Sequence, residues 1–377
     1  MLYLLFTLNN AALLVWAAIF CFHKPSKVKN LLFVILSFTQ LFVIMAFRYN
    51  VGFDYQMYAM GFRNMQDTGF ETLAYKDWET GFILVTKLIG MIPSIDYDWY
   101  MLILSLIAIV PAAIFIYKNS PVPWISVILY VNMFMFFMSM NFLRQMIAVS
   151  LLMLAWHFMK RNKFWLYLLV IIIASFFHQT VLIMLPVYLL VKVKPGMKEL
   201  LLYGYLLLWF YLASTNIIQV ITSFYHEEYS DSIFIKEGVS IVYALVPLFI
   251  TIVSFLLVKT GTINLTNENK YLINLSFIGT VLMVTMSKHS IIERLSYYFI
   301  IFMILLVPVI YQSLKNNGIK YTTANNRVID FSDSRSCKAL SLSFLVLVLL
   351  ISYAVFYYGM FENAHGIVEY QFRFVHF

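Results

Sequence analysis

Residues 164–191 read FWLYLLVIIIASFFHQTVLIMLPVYLLV, an apolar run interrupted by Ser175, His178, Gln179 and Thr180. It is longer than the roughly 20 residues that one helix needs to cross a hydrocarbon core. Its polar residues gather at a single point near the middle. That pattern predicts two short helices meeting near His178, not one long one. A sequence that is apolar on every face at helical length has no water-soluble use on this scale, because it leaves no polar face to solvate.

The rest of the chain repeats the message. Runs of spanning length fall at 2–22, 30–47, 99–117, 122–140, 142–159, 200–220, 239–258, 271–286, 291–313 and 339–359. Of the 377 residues 62% are hydrophobic and 18% aromatic, and only 12% are charged. Soluble domains carry about 25% charged residues. Mean hydropathy is +0.83. The composition excludes a soluble enzyme, a disordered chain and a nucleic-acid-binding domain. It predicts an all-α, polytopic integral membrane protein, in which each helix satisfies its own backbone amides. Twelve crossings are expected in a single transmembrane domain spanning 1–377. Residues 81–92 are apolar but short, end at Pro93 and lead into Asp96 and Asp98; they predict a re-entrant or interfacial half-helix.

Charge sets the expected orientation. With the loop at Lys24, Lys27 and Lys29 in the cytoplasm, that side collects 17 of the 26 Lys and Arg but 4 of the 18 acids. The split is +13 inside and −5 outside, as the positive-inside rule requires. Were 81–92 a full crossing, Lys160–Lys163 and every later basic loop would face outward. The net charge of +8 is therefore a topology signal. Residues 315–338 become a cytoplasmic loop, expected to be mobile. Residues 48–98 become an outer segment carrying the half-helix, and 222–238 a second outer loop. The first run lacks a basic stretch before it and reads as a helix, not a cleavable signal. Cys21 and Cys337 have no metal or redox spacing.

Ionisable groups at helix ends are costly beside lipid and mark functional cavities. Arg48, Asp54, Arg63, Glu79, Arg144, His178, His289, Glu293, Arg294, His365 and Tyr370 all fall on the outer face of this arrangement. Arg48 opens Arg48-Tyr-Asn-Val-Gly52-Phe-Asp54-Tyr-Gln-Met-Tyr58, where a planar guanidinium suits a phosphate; an interfacial Arg–Asp pair is the alternative. Arg144 stands at a helix N-terminus, where free amides and the dipole add to its charge. His178 can serve as general base or as a packed residue with one hydrogen bond. Glu293 and Arg294 are adjacent and point about 100° apart on a helix, so at most one need face a cavity. Tyr55, Tyr58 and Trp78 add aromatic rings to the outer segment. The acids of the outer segment, Asp54, Asp67, Glu71, Asp77 and Glu79, have no spacing that demands a metal. Walker A, HExxH and GxSxG motifs are absent.

The order of these pieces resembles the EpsG-like branch of the Wzy-type polysaccharide polymerases. The matching elements are Arg48-x-x-x-Gly52-x-Asp54-x-x-x-Tyr58, Glu79-x-Gly81-Phe82, Leu143-Arg144-Gln145-x-x-Ala148, His178-Gln179-Thr180 and Arg294-x-x-Tyr297-Tyr298. The resemblance implies a GT-C-like membrane glycosyltransferase of a bacterial plasma membrane, with its site facing outward. Such an enzyme would build O-antigen, capsule or exopolysaccharide from undecaprenyl-pyrophosphate-linked glycans, one as donor and one as acceptor, with inversion at the anomeric carbon. Its partners would be those lipid-linked glycans, the bilayer and a chain-length regulator; no cofactor, metal or nucleic acid is expected. Arg48, Arg144 and Arg294 would bind the pyrophosphate. His178, or else Asp54, would be the base. Tyr58, Glu79, Gln145, Tyr297 and Tyr298 would contact sugars, and outer aromatics such as Tyr55, Tyr58 and Trp78 would stack on sugar faces. A ligase using the same donor is the neighbouring alternative. A flippase would need charges near mid-membrane, and a membrane acyltransferase a His on the cytoplasmic side.

Overall fold

The computed structural model describes residues 3–66, 68–69, 78–225, 237–322, 328–368 and 370–373. It is 78% helical with almost no sheet, the architecture of an all-α polytopic membrane protein. The chain divides into two compact units, one formed by Met1–Leu185 with Tyr357–Phe377 and the other by Pro186–Phe356.

The first unit opens with α1 (Leu4–Ala17), extended by a π-helical turn to Phe22, and α2 (Lys27–Ala46). The Ser26 hydroxyl starts α2 by accepting from the Lys29 amide, one of the orphan donors of a first turn. Helices α3 (Tyr55–Gln66) and α4 (Thr80–Gly90) follow, then α5 (Tyr97–Asn119), started by Asp96, whose carboxylate accepts from the Asp98 and Trp99 amides. Next come α6 (Pro123–Asn132), α7 (Met135–Asn141), α8 (Leu143–Met159) and α9 (Phe164–Ser175). Phe134, in the left-handed region at φ 64°, breaks α6 from α7 at a 49° bend. All ten residues of α6 are buried. A helix apolar all round belongs at the centre of a bundle, and α1, α2, α5 and α7 pack on it.

A 3₁₀ segment, Gln179–Lys192, leads from the first unit into the second. The second unit holds α10 (Met197–Tyr225), α11 (Leu245–Lys259), α12 (Asn267–Thr285), α13 (Ile291–Ile300) and α14 (Met303–Asn317). Then come strands β1 (Ile319–Thr322) and β2 (Val328–Phe331), and α15 (Ser334–Phe361), whose last residues rejoin the first unit. In its interior Thr251, Ser276 and Thr280 join hydroxyls at 2.7–2.8 Å, and Tyr203 stacks on Phe277 at 4.2 Å.

Among the described residues six helices are long and apolar enough to cross a membrane, or eight if each of two bent pairs is one span. The twelve crossings expected from the sequence are not reached by this measure. The expected crossing at 142–159 is a 17-residue helix, and those at 122–140 and 291–313 are each broken in two. The run at 164–191 is α9 followed by the 3₁₀ segment, with the break at residues 176–178. The short helix expected at 81–92 is α4, 11 residues long. Two elements were not anticipated: α3 within the outer segment, and the antiparallel β1–β2 pair inside the loop expected to be mobile.

Candidate active site

Two helix ends meet to start the site. Helix α4 opens with amides that lack intrahelical acceptors, and α9 closes with carbonyls that lack donors. The Gly81 amide donates to the Phe176 carbonyl at 2.8 Å and satisfies one of each. The approach needs glycine: a Cβ on Gly81 would lie 2.7 Å from the Phe176 oxygen and 2.8 Å from its Cβ. The contact places Glu79, the residue just before α4, beside His178, just after α9.

The Glu79 carboxylate joins two partners. Its Oε1 is 2.6 Å from His178 Nδ1, and its Oε2 accepts from Arg144 Nη1 at 2.6 Å. These side chains keep 13% (Glu79), 19% (His178) and 20% (Arg144) of their exposure, so the cluster is neither sealed nor on the open surface. Arg144 stands in the first turn of α8, its guanidinium 5.9 Å from the Trp78 ring centre. Burial pushes the Glu79 carboxyl up, but the hydrogen bond with His178 and the charge of Arg144 outweigh it and hold the group below its ordinary value.

That direction fixes a pH dependence. A carboxyl lowered by folding stabilises the protein above its unfolded value, about 4.3, and the gain is lost as pH falls through the folded value. The stability difference between wild type and Glu79→Gln should therefore shrink as pH falls below about 5. Thermal unfolding in detergent between about pH 5 and pH 3 measures this; a difference that widens over that range would contradict it.

Helices α3 and α4 hold the cluster from behind. Lys87 of α4 is buried and donates to the Met65 and Thr68 carbonyls and to the Thr68 hydroxyl, tying α4 to the end of α3. Phe62 stacks on Tyr100 of α5 at 4.3 Å, and the Thr86 and Tyr100 hydroxyls lie 3.0 Å apart. The Trp78 ring sits over Gly61, where any side chain would collide with it. Gly61→Ala and Gly81→Ala should each lower the unfolding temperature in detergent more than the α-helical content of the folded protein, both read by far-ultraviolet circular dichroism. A wild-type unfolding temperature in both would show that these close approaches are dispensable.

The sequence candidates divide clearly. Glu79, Arg144 and His178 come together. Tyr58 is buried against Trp78 and Phe82, its hydroxyl 3.5 Å from the Arg144 amide. Tyr55 and Trp78 are also buried, so the rings read as sugar platforms are packed into the protein. Asp54 is half-buried one turn before Tyr58 and accepts the Tyr58 amide at its carbonyl. Gln145 is buried beside Arg144, and Arg63 is exposed. In the second unit Arg294 is half-buried on α13, Tyr297 and Tyr298 are buried, and the Tyr297 hydroxyl donates to Glu293 at 3.1 Å. His289 there lies 3.1 Å from the Thr215 hydroxyl. Asp67, Glu71, Asp77 and 226–236 lie outside the described residues. Among the described residues no group of three His, Cys, Asp or Glu could hold a metal.

Arg48 is held by main-chain carbonyls. It is 2% exposed and donates to the Met45 carbonyl at 2.7 Å and the Met140 carbonyl at 3.1 Å. These carbonyls close α2 and α7, where the negative dipole ends suit a cation. A later segment covers this corner. The Gln371 carbonyl accepts the Tyr49 amide, the Phe47 carbonyl accepts the Arg373 amide, and Tyr370 donates its hydroxyl to the Ile44 carbonyl at 2.6 Å. Arg373 also pairs with Asp98. His365, expected near a cavity, lies against Phe134 and Phe142.

The fold and this cluster define a multi-pass α-helical membrane protein with a carboxylate-centred polar site. The model of the EpsG family matches residues 31–324, and the chain belongs to that family, whose members are polysaccharide-polymerase-like membrane proteins. No curated protein and no solved structure matches it.

Proposed function

We propose that the protein polymerises lipid-linked oligosaccharide repeat units on the extracytoplasmic face of the plasma membrane. The observation that carries this reading is the Glu79 carboxylate held between His178 and Arg144. An ionised Glu79 keeps the imidazole hydrogen on Nδ1, so that Nε2 is the proton acceptor. Nε2 takes the proton of the acceptor sugar hydroxyl. The hydroxyl oxygen attacks the anomeric carbon of the donor glycan, and the bond to the undecaprenyl pyrophosphate oxygen breaks with its electron pair. Negative charge grows on that oxygen, and a cation at a helix N-terminus such as Arg144 stabilises it. In-line displacement inverts the anomeric centre. The lipid tails enter from the bilayer.

Purified protein in lipid, given only lipid-linked repeat units, should make a ladder of products without any other acceptor. His178→Ala should lower ladder formation by about 10²–10⁴-fold, the usual worth of a general base. Transfer only to an added, different acceptor would identify a ligase, and no transfer by wild type would refute the reading.

A further inference from the structure

The β1–β2 pair stands outside the catalytic argument and carries its own. In the antiparallel register Ile319 faces Phe331, Lys320 faces Asp330 and Tyr321 faces Ile329. Side chains alternate between faces along a strand, and directly paired residues share a face. Ile319, Tyr321, Ile329 and Phe331 therefore lie on one side of the ribbon; Lys320 and Asp330, ion-paired at 3.0 Å, lie on the other together with Thr322 and the exposed Val328. The apolar side is uncovered at one edge, where Ile329 is 41% and Phe331 47% exposed.

The root of the ribbon is fixed. Thr262, after α11, donates its hydroxyl to the Gly318 carbonyl at 2.9 Å, and Asn317 donates to the Thr262 carbonyl at 2.9 Å. Lys259 at the end of α11 lies 5.3 Å from the Tyr321 ring centre. The ribbon also follows α14 and precedes α15 directly. The apolar part of α15, residues 339–359, is about 30 Å long at 1.5 Å per residue, one hydrocarbon thickness. Its first turn and the ribbon thus lie on the order of 10 Å beyond the hydrocarbon edge, at the depth of headgroups.

Charge chooses the occupant. Lys315, Lys320, Arg335 and Lys338 are exposed around the ribbon. Of the acids beside them, Asp330 pairs with Lys320, and Asp333 starts α15 by accepting the Arg335 and Ser336 amides. An amphipathic element with aromatic and aliphatic residues on one side and Lys and Arg at its margin is built for an anionic interface.

We propose that the β1–β2 ribbon docks on the anionic headgroup layer of the bilayer that α14 and α15 enter, with Ile329 and Phe331 inserted and Lys315, Arg335 and Lys338 gathering lipid phosphates. Full-length protein with Cys21→Ser and Cys337→Ser would carry an environment-sensitive dye at Ile329→Cys, and independently at Phe331→Cys. Each would be placed in nanodiscs of phosphatidylcholine alone or mixed with phosphatidylglycerol. In the mixed discs the emission should shift to the blue and be quenched by lipids spin-labelled near the headgroup. The shift should reverse at 1 M salt, where the Debye length falls to about 3 Å, and in Lys315→Glu/Arg335→Glu/Lys338→Glu. Water-like emission at both positions in both discs would overturn the proposal. So would a blue shift without lipid quenching, which means a protein covers the face, and so would equal quenching in pure phosphatidylcholine at any salt.

Discussion

Glu79→Gln should reduce polymer formation by about 10²–10⁴-fold while leaving the protein folded in the membrane. Glutamine keeps the shape of the side chain but can donate from its amide nitrogen. Facing His178 Nδ1, that amide stabilises the tautomer with the hydrogen on Nε2, and the imidazole then presents a donor where the acceptor hydroxyl needs a base. Arg144 loses its counter-charge in the same change. Because the carboxylate acts through the imidazole, Glu79→Gln/His178→Ala should be scarcely worse than His178→Ala alone. Product ladders from the three variants, normalised to protein recovered in lipid, make the comparison. Wild-type ladders from Glu79→Gln would remove the carboxylate from the mechanism, and additive losses would show that it acts independently of His178.

Arg48→Met is the second large effect, and of a different kind. The substitution deletes the group that joins the Met45 and Met140 carbonyls and leaves both acceptors buried. An orphaned buried acceptor costs about 1–3 kcal/mol, so the pair should lower stability by on the order of 3 kcal/mol. The expected signature is less folded protein and a lower unfolding temperature, with an unchanged KM for lipid-linked donor in the fraction that folds. Arg144→Ala should instead lower turnover in the fraction that folds. A raised KM at normal stability in Arg48→Met would restore Arg48 to the phosphate role first read from its sequence.

The contrast between the two arginines shows what was legible. Helix-end position and charge are visible in a sequence, and they single out both. What separates them is the acceptor each guanidinium finds, carbonyls 3 and 92 residues away for Arg48 and a carboxylate 65 residues away for Arg144. No periodicity carries that information. His178 was legible because it interrupts an apolar run, where a polar group must have a reason. Glu79 was read as a minor sugar contact, yet it stands at the centre. Its signal was the glycine two residues on, which marks the close approach to α9 only once α9 is known. The all-α membrane class followed from composition. The number of crossings did not follow, because bends such as that at Phe134 divide runs that hydropathy reads as continuous. The ribbon at 319–331 was missed because its strands are only four residues long and lie among polar neighbours.

The segment over Arg48 has a consequence for biosynthesis. Its Tyr370 hydroxyl bonds to a carbonyl 326 residues earlier. A ribosome delivers the chain in order, so the helices of the first unit enter the membrane long before the segment that covers Arg48 exists. Contacts at such separation form late. Until residues 363–373 emerge and reach residues 44–53, the amides of Tyr49 and Gly52 lack the partners they have in the finished protein. A chain interrupted before residue 363 would leave those two amides without their mature acceptors.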